Sequence, residues 1–328
     1  MRPQLHETRK AVAIHQFGGV DQMKVQTLPT PRLRPDEILV RVTSAGVGVW
    51  DTYEVEGGFA GFSEEQTFPY VVGSDGAGIV VAVGEKVRGF KEGDRVYGFS
   101  SFDGRSGFYT EYAVVKAEAA SVLPEGLSLD TAGAMPIDAV TALRGLADAL
   151  GVQAGERVLI FGASGGVGHL AVQLAGRMGA HVFAVASGAD GVALAKHLGA
   201  DAVVDGRNDD VLAAAREFAP DGLDAALLTA AGKAADKALT VLKKGARAAY
   251  PNGVEPEPKV RPDVRVTGYD GNPDPKAIAE LNRLIESGPF EVHVARTYAL
   301  EDATQAIADL KKHYLGKLAL AVHPGVRG

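Results

Sequence analysis

Val158-Leu159-Ile160-Phe161-Gly162-Ala163-Ser164-Gly165-Gly166-Val167-Gly168 decides how the second half of this chain is read. Four apolar residues of strand character run into glycines spaced Gly-x-x-Gly-x-x-Gly, and an amphipathic helix, Gly168–Met178, follows. A strand, a glycine turn and a helix start are what a pyrophosphate needs. Backbone N–H groups at the helix N-terminus point at the anion, and no Cβ blocks its approach. The spacing departs from the strict Gly-x-Gly-x-x-Gly, and a glycine-rich turn alone is weak evidence, so its context decides the matter.

The context is a strand–helix alternation. Helix Val192–Leu198 follows strand His181–Ala186, helix Val211–Phe218 follows strand Ala202–Val204, and helix Ala234–Leu242 follows strand Ala225–Leu228. Ala246–Tyr250 and Val264–Thr267 supply two more strands. Short apolar strands joined by helical crossovers form a parallel sheet covered on both faces, the doubly wound α/β architecture. Before about residue 125 the rhythm is strands and turns, with Ala11–Ile14, Ile38–Thr43, Gly76–Gly84, Arg95–Gly98 and Phe108–Val115 as strands of a partly open, mostly antiparallel β-barrel. Met1–Lys10 reads as a frayed tail. The last segment carries helices Lys276–Ser287 and Leu300–Lys312 and a strand Lys317–Val322.

Composition narrows the function. The 328 residues suggest about two domains, and the net charge of -7 argues against a nucleic-acid partner. No apolar run approaches the roughly 20 residues that span a bilayer, and no signal-peptide pattern opens the chain. There is no cysteine, so neither disulfides nor thiolate metal ligands form, which fits the cytoplasm.

Four motifs together resemble the zinc-independent quinone oxidoreductases of the medium-chain dehydrogenase/reductase superfamily. They are Ser44-Ala45-Gly46-Val47-Gly48-Val49-Trp50-Asp51-Thr52-Tyr53, Pro69-Tyr70-Val71-Val72-Gly73-Ser74-Asp75-Gly76-Ala77-Gly78, the turn Phe90–Val96, and the Gly162–Gly168 loop with Gln173-Leu174-Ala175 after it. The resemblance implies a GroES-like substrate domain built from residues 1–127 and 271–328, with a Rossmann dinucleotide-binding domain, 128–270, inserted. It also implies a homodimer and hydride transfer from NADPH to a quinone or an α,β-unsaturated carbonyl. An enoyl-thioester reductase and a non-catalytic NADP(H)-binding redox sensor are the alternatives. The chain departs from the family at three glycines. Gly48 stands where the family has Asn, Gly191 where it often has the Lys that holds a 2′-phosphate, and Gly206 where it often has Tyr.

Zinc sites of the superfamily's alcohol dehydrogenases need thiolates, which this chain lacks, and Gly73-Ser74-Asp75 replaces their Gly-His-Glu. No zinc is therefore expected. Without a Lewis acid, conjugated acceptors suit hydride transfer better than saturated alcohols.

Candidate site residues follow from these readings. Tyr53 either donates a hydrogen bond to a substrate oxygen as charge develops or packs as a barrel tyrosine. Gly48, Trp50 and Asp51 belong to the same pocket segment, with Asp51 alternatively a turn cap. For the cofactor, Ser164, Gly165, Gly166 and Val167 form the phosphate turn. Thr141 lies on the first helix of the inserted domain, and Tyr250 and Asn252 follow the fifth strand. By resemblance Lys317, at the start of the final strand, joins this set. The second strand of this domain ends without the acid that usually binds the NAD ribose. Ser187 and Arg207 then favour NADP(H), with Asp190 opposing and NAD(H) remaining open.

Overall fold

A computed structural model describes residues 7–64 and 66–323. Two compact units emerge, one made of residues 1–137, 273–278 and 294–328 and the other of residues 138–272 and 279–293.

In the first leg of the chain, strands β1 (Thr8–Ile14), β2 (Lys24–Pro29) and β3 (Glu37–Val47) precede helix α1 (Val49–Val55). Strands β4 (Tyr70–Val71), β5 (Asp75–Val83), β6 (Arg95–Phe99), β7 (Tyr112–Lys116) and β8 (Ala120–Val122) follow, then the short helix α2 (Leu129–Ala132). Thr8–Lys10, expected in a frayed tail, instead open β1, because Arg9 and Lys10 pair with Leu28 and Thr27 of β2. The first six residues lie outside those described.

Helix α3 (Pro136–Leu143) begins the second leg. Strands β9 (Arg157–Phe161), β10 (His181–Ala186), β11 (Ala202–Asp205), β12 (Leu223–Leu228), β13 (Leu242–Pro251) and β14 (Arg265–Tyr269) alternate with helices α4 (Gly166–Arg177), α5 (Gly188–His197), α6 (Val211–Phe218) and α7 (Lys233–Ala238). Helix α8 (Pro275–Glu286), strand β15 (Val294–Ala299), helix α9 (Ala303–Asp309) and strand β16 (Lys317–Ala321) close the chain.

The first unit holds a seven-stranded sheet in the order β15-β16-β3-β5-β6-β8, with β7 on β3, and a three-stranded sheet β2-β1-β4. Every pairing is antiparallel except β15 with β16. The final strand does return to the first half: Leu318–Ala321 pair with Ser44–Val47. Ile38, Val40, Val42, Val80, Val96, Leu318 and Leu320 fill the core of this GroES-like unit. Residues 128–137 belong to this unit rather than to the insertion. The Ser44 hydroxyl bonds the Leu129 carbonyl and accepts the Gly133 N–H.

The second unit is a six-stranded parallel sheet in the order β11-β10-β9-β12-β13-β14. Its central strands are buried on both faces, which explains their unbroken apolar runs. Strand order reverses between β9 and β12, so the turn after β9 opens at the crevice where open α/β sheets bind ligands. Residues 279–293 also join this unit, because the Arg177 guanidinium donates to the carbonyls of Leu284, Ile285 and Pro289.

Candidate functional site

The turn after β9 is built to bring backbone close to backbone. Gly162 has φ +84°, and a Cβ there would stand 2.4 Å from Thr229 Oγ1. Thr229 in turn donates to the carbonyl of Phe161 at 2.9 Å. A Cβ on Gly168 would lie 2.0 Å from the Gly162 carbonyl oxygen, so the first turn of α4 folds back onto the strand end only because that atom is missing. Gly165 is the N-cap and has no side chain to satisfy the first-turn N–H groups of α4. Ser164, Gly165, Gly166 and Val167 thus sit together around a helix start that suits a pyrophosphate.

Ser187 caps α5 without using its hydroxyl, and its N–H faces Ser164 Oγ at 3.5 Å. Ser164 also explains the glycine at 191, since a Cβ there would lie 2.8 Å from its hydroxyl oxygen, leaving no room for a lysine stem. Asp190 accepts the Gly191 N–H at 2.9 Å.

Asp205, which the sequence reading passed over, organises this edge. Its Oδ1 accepts the N–H of Gly188 at 3.1 Å and of Arg207 at 3.0 Å, and its Oδ2 accepts Asn208 Nδ2 at 2.7 Å. The backbone bonds from Arg207 and Gly188 hold its carboxyl below the usual aspartate range. The Arg207 side chain is exposed at the same loop.

Elsewhere in this unit, Thr141 is buried and its carbonyl accepts the Tyr269 hydroxyl at 3.0 Å. A Cβ on Gly271 would come within 2.1 Å of Thr141 Oγ1. Asn252 donates to Asp270 at 2.7 Å and its N–H reaches the Tyr269 carbonyl. Tyr250, at the end of β13, is raised in pKa by burial and by a hydrogen bond with Glu257.

In the first unit, β3 leads into Gly48, the N-cap of α1. Asp51 is fully enclosed. Its Oδ2 accepts the Gly48 N–H at 2.8 Å and the Tyr109 hydroxyl at 2.9 Å, and its Oδ1 accepts the Ser74 N–H and hydroxyl at 3.2 and 3.0 Å. It is therefore a cap and a tie between segments, with both oxygens engaged by the protein. Burial still raises its pKa against these bonds, and the attraction of Lys317 works in the opposite direction. Lys317 is itself buried, and a Cβ on Gly48 would lie 3.5 Å from its Nζ.

One turn along α1, Glu54 accepts the Tyr70 hydroxyl at 3.0 Å and the Gly73 N–H at 2.9 Å. Desolvation, and then repulsion from Asp51, push it up to about 8. The Asp51–Glu54 spacing on one helical face was visible in the sequence, but only if the segment were read as a helix. Asp75, in the segment that replaces Gly-His-Glu, accepts the Ile137 N–H at 2.8 Å.

Tyr53 is 49% exposed on the other side of α1, edge-on to Phe59 with centroids 4.9 Å apart. Phe59 continues to Phe62 and Phe102, so Tyr53 begins an aromatic patch rather than sitting in the barrel core. Trp50 is half-buried on the same helix.

The alcohol dehydrogenase GroES-like domain family matches residues 34–125, and the zinc-binding dehydrogenase family matches residues 166–262. Among the described residues no group of three or more His, Cys, Asp or Glu is placed to hold a metal ion, and the chain has no cysteine to supply a thiolate. The mouse quinone oxidoreductase is 30% identical over 92% of this chain and 93% of its own length. The chloroplastic NADPH-dependent alkenal/one oxidoreductase of Arabidopsis thaliana is 31% identical over 85% of this chain and 70% of its own. A mycobacterial protein solved in complex with NADPH superposes with a TM-score of 0.79 at 27% identity, covering 96% of this chain and all of that one.

Proposed function

Since this chain belongs to the quinone oxidoreductase family of the medium-chain dehydrogenase/reductase superfamily, we propose that it is a zinc-independent, NADPH-dependent reductase of quinones or α,β-unsaturated carbonyls. The observation that carries the reading is the turn from Gly162 to Gly168, where the missing Cβ at 168 lets the start of α4 pack against the strand end and the N-cap, Gly165, brings no side chain to cover the first-turn N–H groups. The nicotinamide cofactor supplies the hydride when bound. The chain's own contribution is to hold and orient.

Ser164, Gly165, Gly166 and Val167 cradle the diphosphate. Ser187 and Arg207 take the 2′-phosphate, while Asp190 and Asp205 on the same edge keep the preference over NADH shallow. Thr141, Tyr250, Asn252 and Lys317 complete the cofactor contacts. Tyr53 donates to the acceptor's oxygen, with Gly48 and Trp50 beside it. Asp51, its oxygens both occupied, holds that segment in shape. The Arabidopsis relative's name supports an alkenal or enone acceptor, and the mouse relative's name a quinone. The cysteine-free chain suits the cytoplasm, where a small-molecule acceptor would reach it. No helix among the described residues is long and apolar enough to cross a membrane. We further propose a homodimer formed at β14, the end strand of the parallel sheet, whose side chains are largely exposed.

The test follows absorbance at the reduced-nicotinamide band with NADPH or NADH and a panel of quinones, enones and saturated aldehydes. Oxidation of NADPH by quinones or enones, and not by saturated aldehydes, is the expected result. Tight dinucleotide binding with no oxidation by any acceptor would overturn it in favour of a binding protein.

A further inference from the structure

His169 follows Gly168 directly and is the one histidine among the described residues with no exposed surface. Its Nδ1 lies 2.9 Å from the Gly165 carbonyl oxygen, and its Nε2 accepts the backbone N–H of His293 at 3.3 Å. A ring nitrogen that accepts an N–H carries no proton, so the ring is neutral and its proton sits on Nδ1, donated to Gly165. The Gly165 oxygen thus takes two bonds from one residue, because the His169 N–H also reaches it at 3.0 Å.

That carbonyl belongs to the peptide between Gly165 and Gly166. In a trans peptide the C=O and the N–H point in opposite directions. Holding the Gly165 oxygen inward therefore holds the Gly166 N–H outward at the mouth of α4. Two consecutive glycines are the costliest residues to order, and Gly165 brings no cap of its own. The ring is the side chain that orders them from below.

The anchor is itself anchored. One turn along α4, Gln173 Nε2 donates to the carbonyls of His169 at 3.1 Å and Glu291 at 2.9 Å, and its Oε1 accepts the Glu291 N–H at 2.9 Å. Residues 291–293 are thereby fastened to α4 beside the imidazole. The Glu291 carboxylate turns away to His197 at 2.8 Å and the His293 ring at 3.3 Å, so it leaves the His169 proton where it is.

We propose that His169 is a positioning residue for the pyrophosphate. It fixes the Gly165–Gly166 peptide in its anion-binding orientation while touching no ligand atom. The inference rests on the dinucleotide reading of this turn. Its test compares the wild-type protein with His169→Leu, which removes both ring bonds at similar volume, and His169→Asn, which restores a donor near the Nδ1 position. The expected result is a dissociation constant for NADPH raised about tenfold in His169→Leu, from the loss of one ordering hydrogen bond and the freedom it returns to two glycines. Turnover at saturating NADPH stays within about twofold of wild type, as it should when ground-state and transition-state binding weaken equally. ADP used as a competitor loses affinity alongside NADPH and adenosine does not, because only ADP carries a diphosphate. His169→Asn recovers most of the loss.

A folded His169→Leu protein with wild-type affinity overturns the proposal, and so does an equal loss for ADP and adenosine, which would mark general damage. Should His169→Leu not fold, His169→Gln gives the same comparison, since its amide reaches the Nε2 position and leaves the Gly165 carbonyl with its helical bond alone. A wild-type protein that binds neither NADPH nor NADH defeats the dinucleotide reading itself, an outcome distinct from unchanged affinity in the variant.

Discussion

Two carboxyl groups on one face of α1 are enclosed by the same fold, and Glu54 carries the cost as a proton. Its ordinary value near 4.5 rises to about 8. Between those values the native state keeps a proton that the unfolded chain releases, so stability falls as pH climbs through this window and levels off above it. Asp51, also raised by burial, shifts in the same direction. Glu54→Gln imitates the protonated acid and can still pair with Tyr70 and Gly73. We expect its melting temperature to match or fall slightly below wild type at pH 5 and to exceed it at pH 8.5, by a stability difference on the order of 2–4 kcal/mol. Thermal unfolding at the two pH values checks this, and parallel curves for the two proteins would refute it.

At the scale of elements, what the sequence made legible follows from where each element's bonds go. The strands of the second unit announced themselves because burial on both faces demands continuous apolar runs, and His181–Ala186 and Val211–Phe218 have the bounds their patterns predict. Helix α1 stayed hidden because Val49, Trp50, Thr52, Tyr53 and Val55 are strand formers by propensity. What makes them helical is the Gly48–Asp51 cap and the long-range ties from Asp51 and Glu54 to Ser74, Gly73, Tyr70 and Tyr109. Strand β15 was missed because it buries no side chain fully, alternating only between half-buried and exposed positions and so leaving a faint apolar pattern, and β2 for the same reason. Asp205 escaped because its importance lies in a bond to Gly188, in a different loop. In the function proposed above those two loops, after β10 and β11, would set the cofactor's phosphate preference, with Arg207 the cation beside Asp205. Arg207→Ala should raise the KM for NADPH about fivefold and leave that for NADH unchanged, the effect of losing one exposed charge-assisted bond. Initial-rate kinetics with each cofactor decide it, and equal changes in both KM values would remove Arg207 from the site.

For the whole molecule, the proposed dimer makes a claim that solution size can answer. Val266 on β14 is 39% exposed. Val266→Glu would set like charges against each other across a two-fold axis and desolvate them, so light scattering should show dimer for the wild type and monomer for the variant at micromolar concentration. A wild-type monomer, or a variant dimer of undiminished affinity, would count against β14 as the interface. The sheet of the first unit has a different dependence, on the order of synthesis. Strand β3 leads into α1, yet along Ser44–Val47 one of its edges pairs with β16, which a ribosome adds only after the whole parallel sheet. During translation the inserted parallel sheet, whose strands end at Tyr269, is finished while that edge of β3 is still bare. A nascent chain halted before Lys317 would therefore present an unpaired strand edge and lack the buried ammonium beside Gly48. Emergence of β16, rather than emergence of the barrel sequence before it, is the moment at which the sheet of the first unit can close.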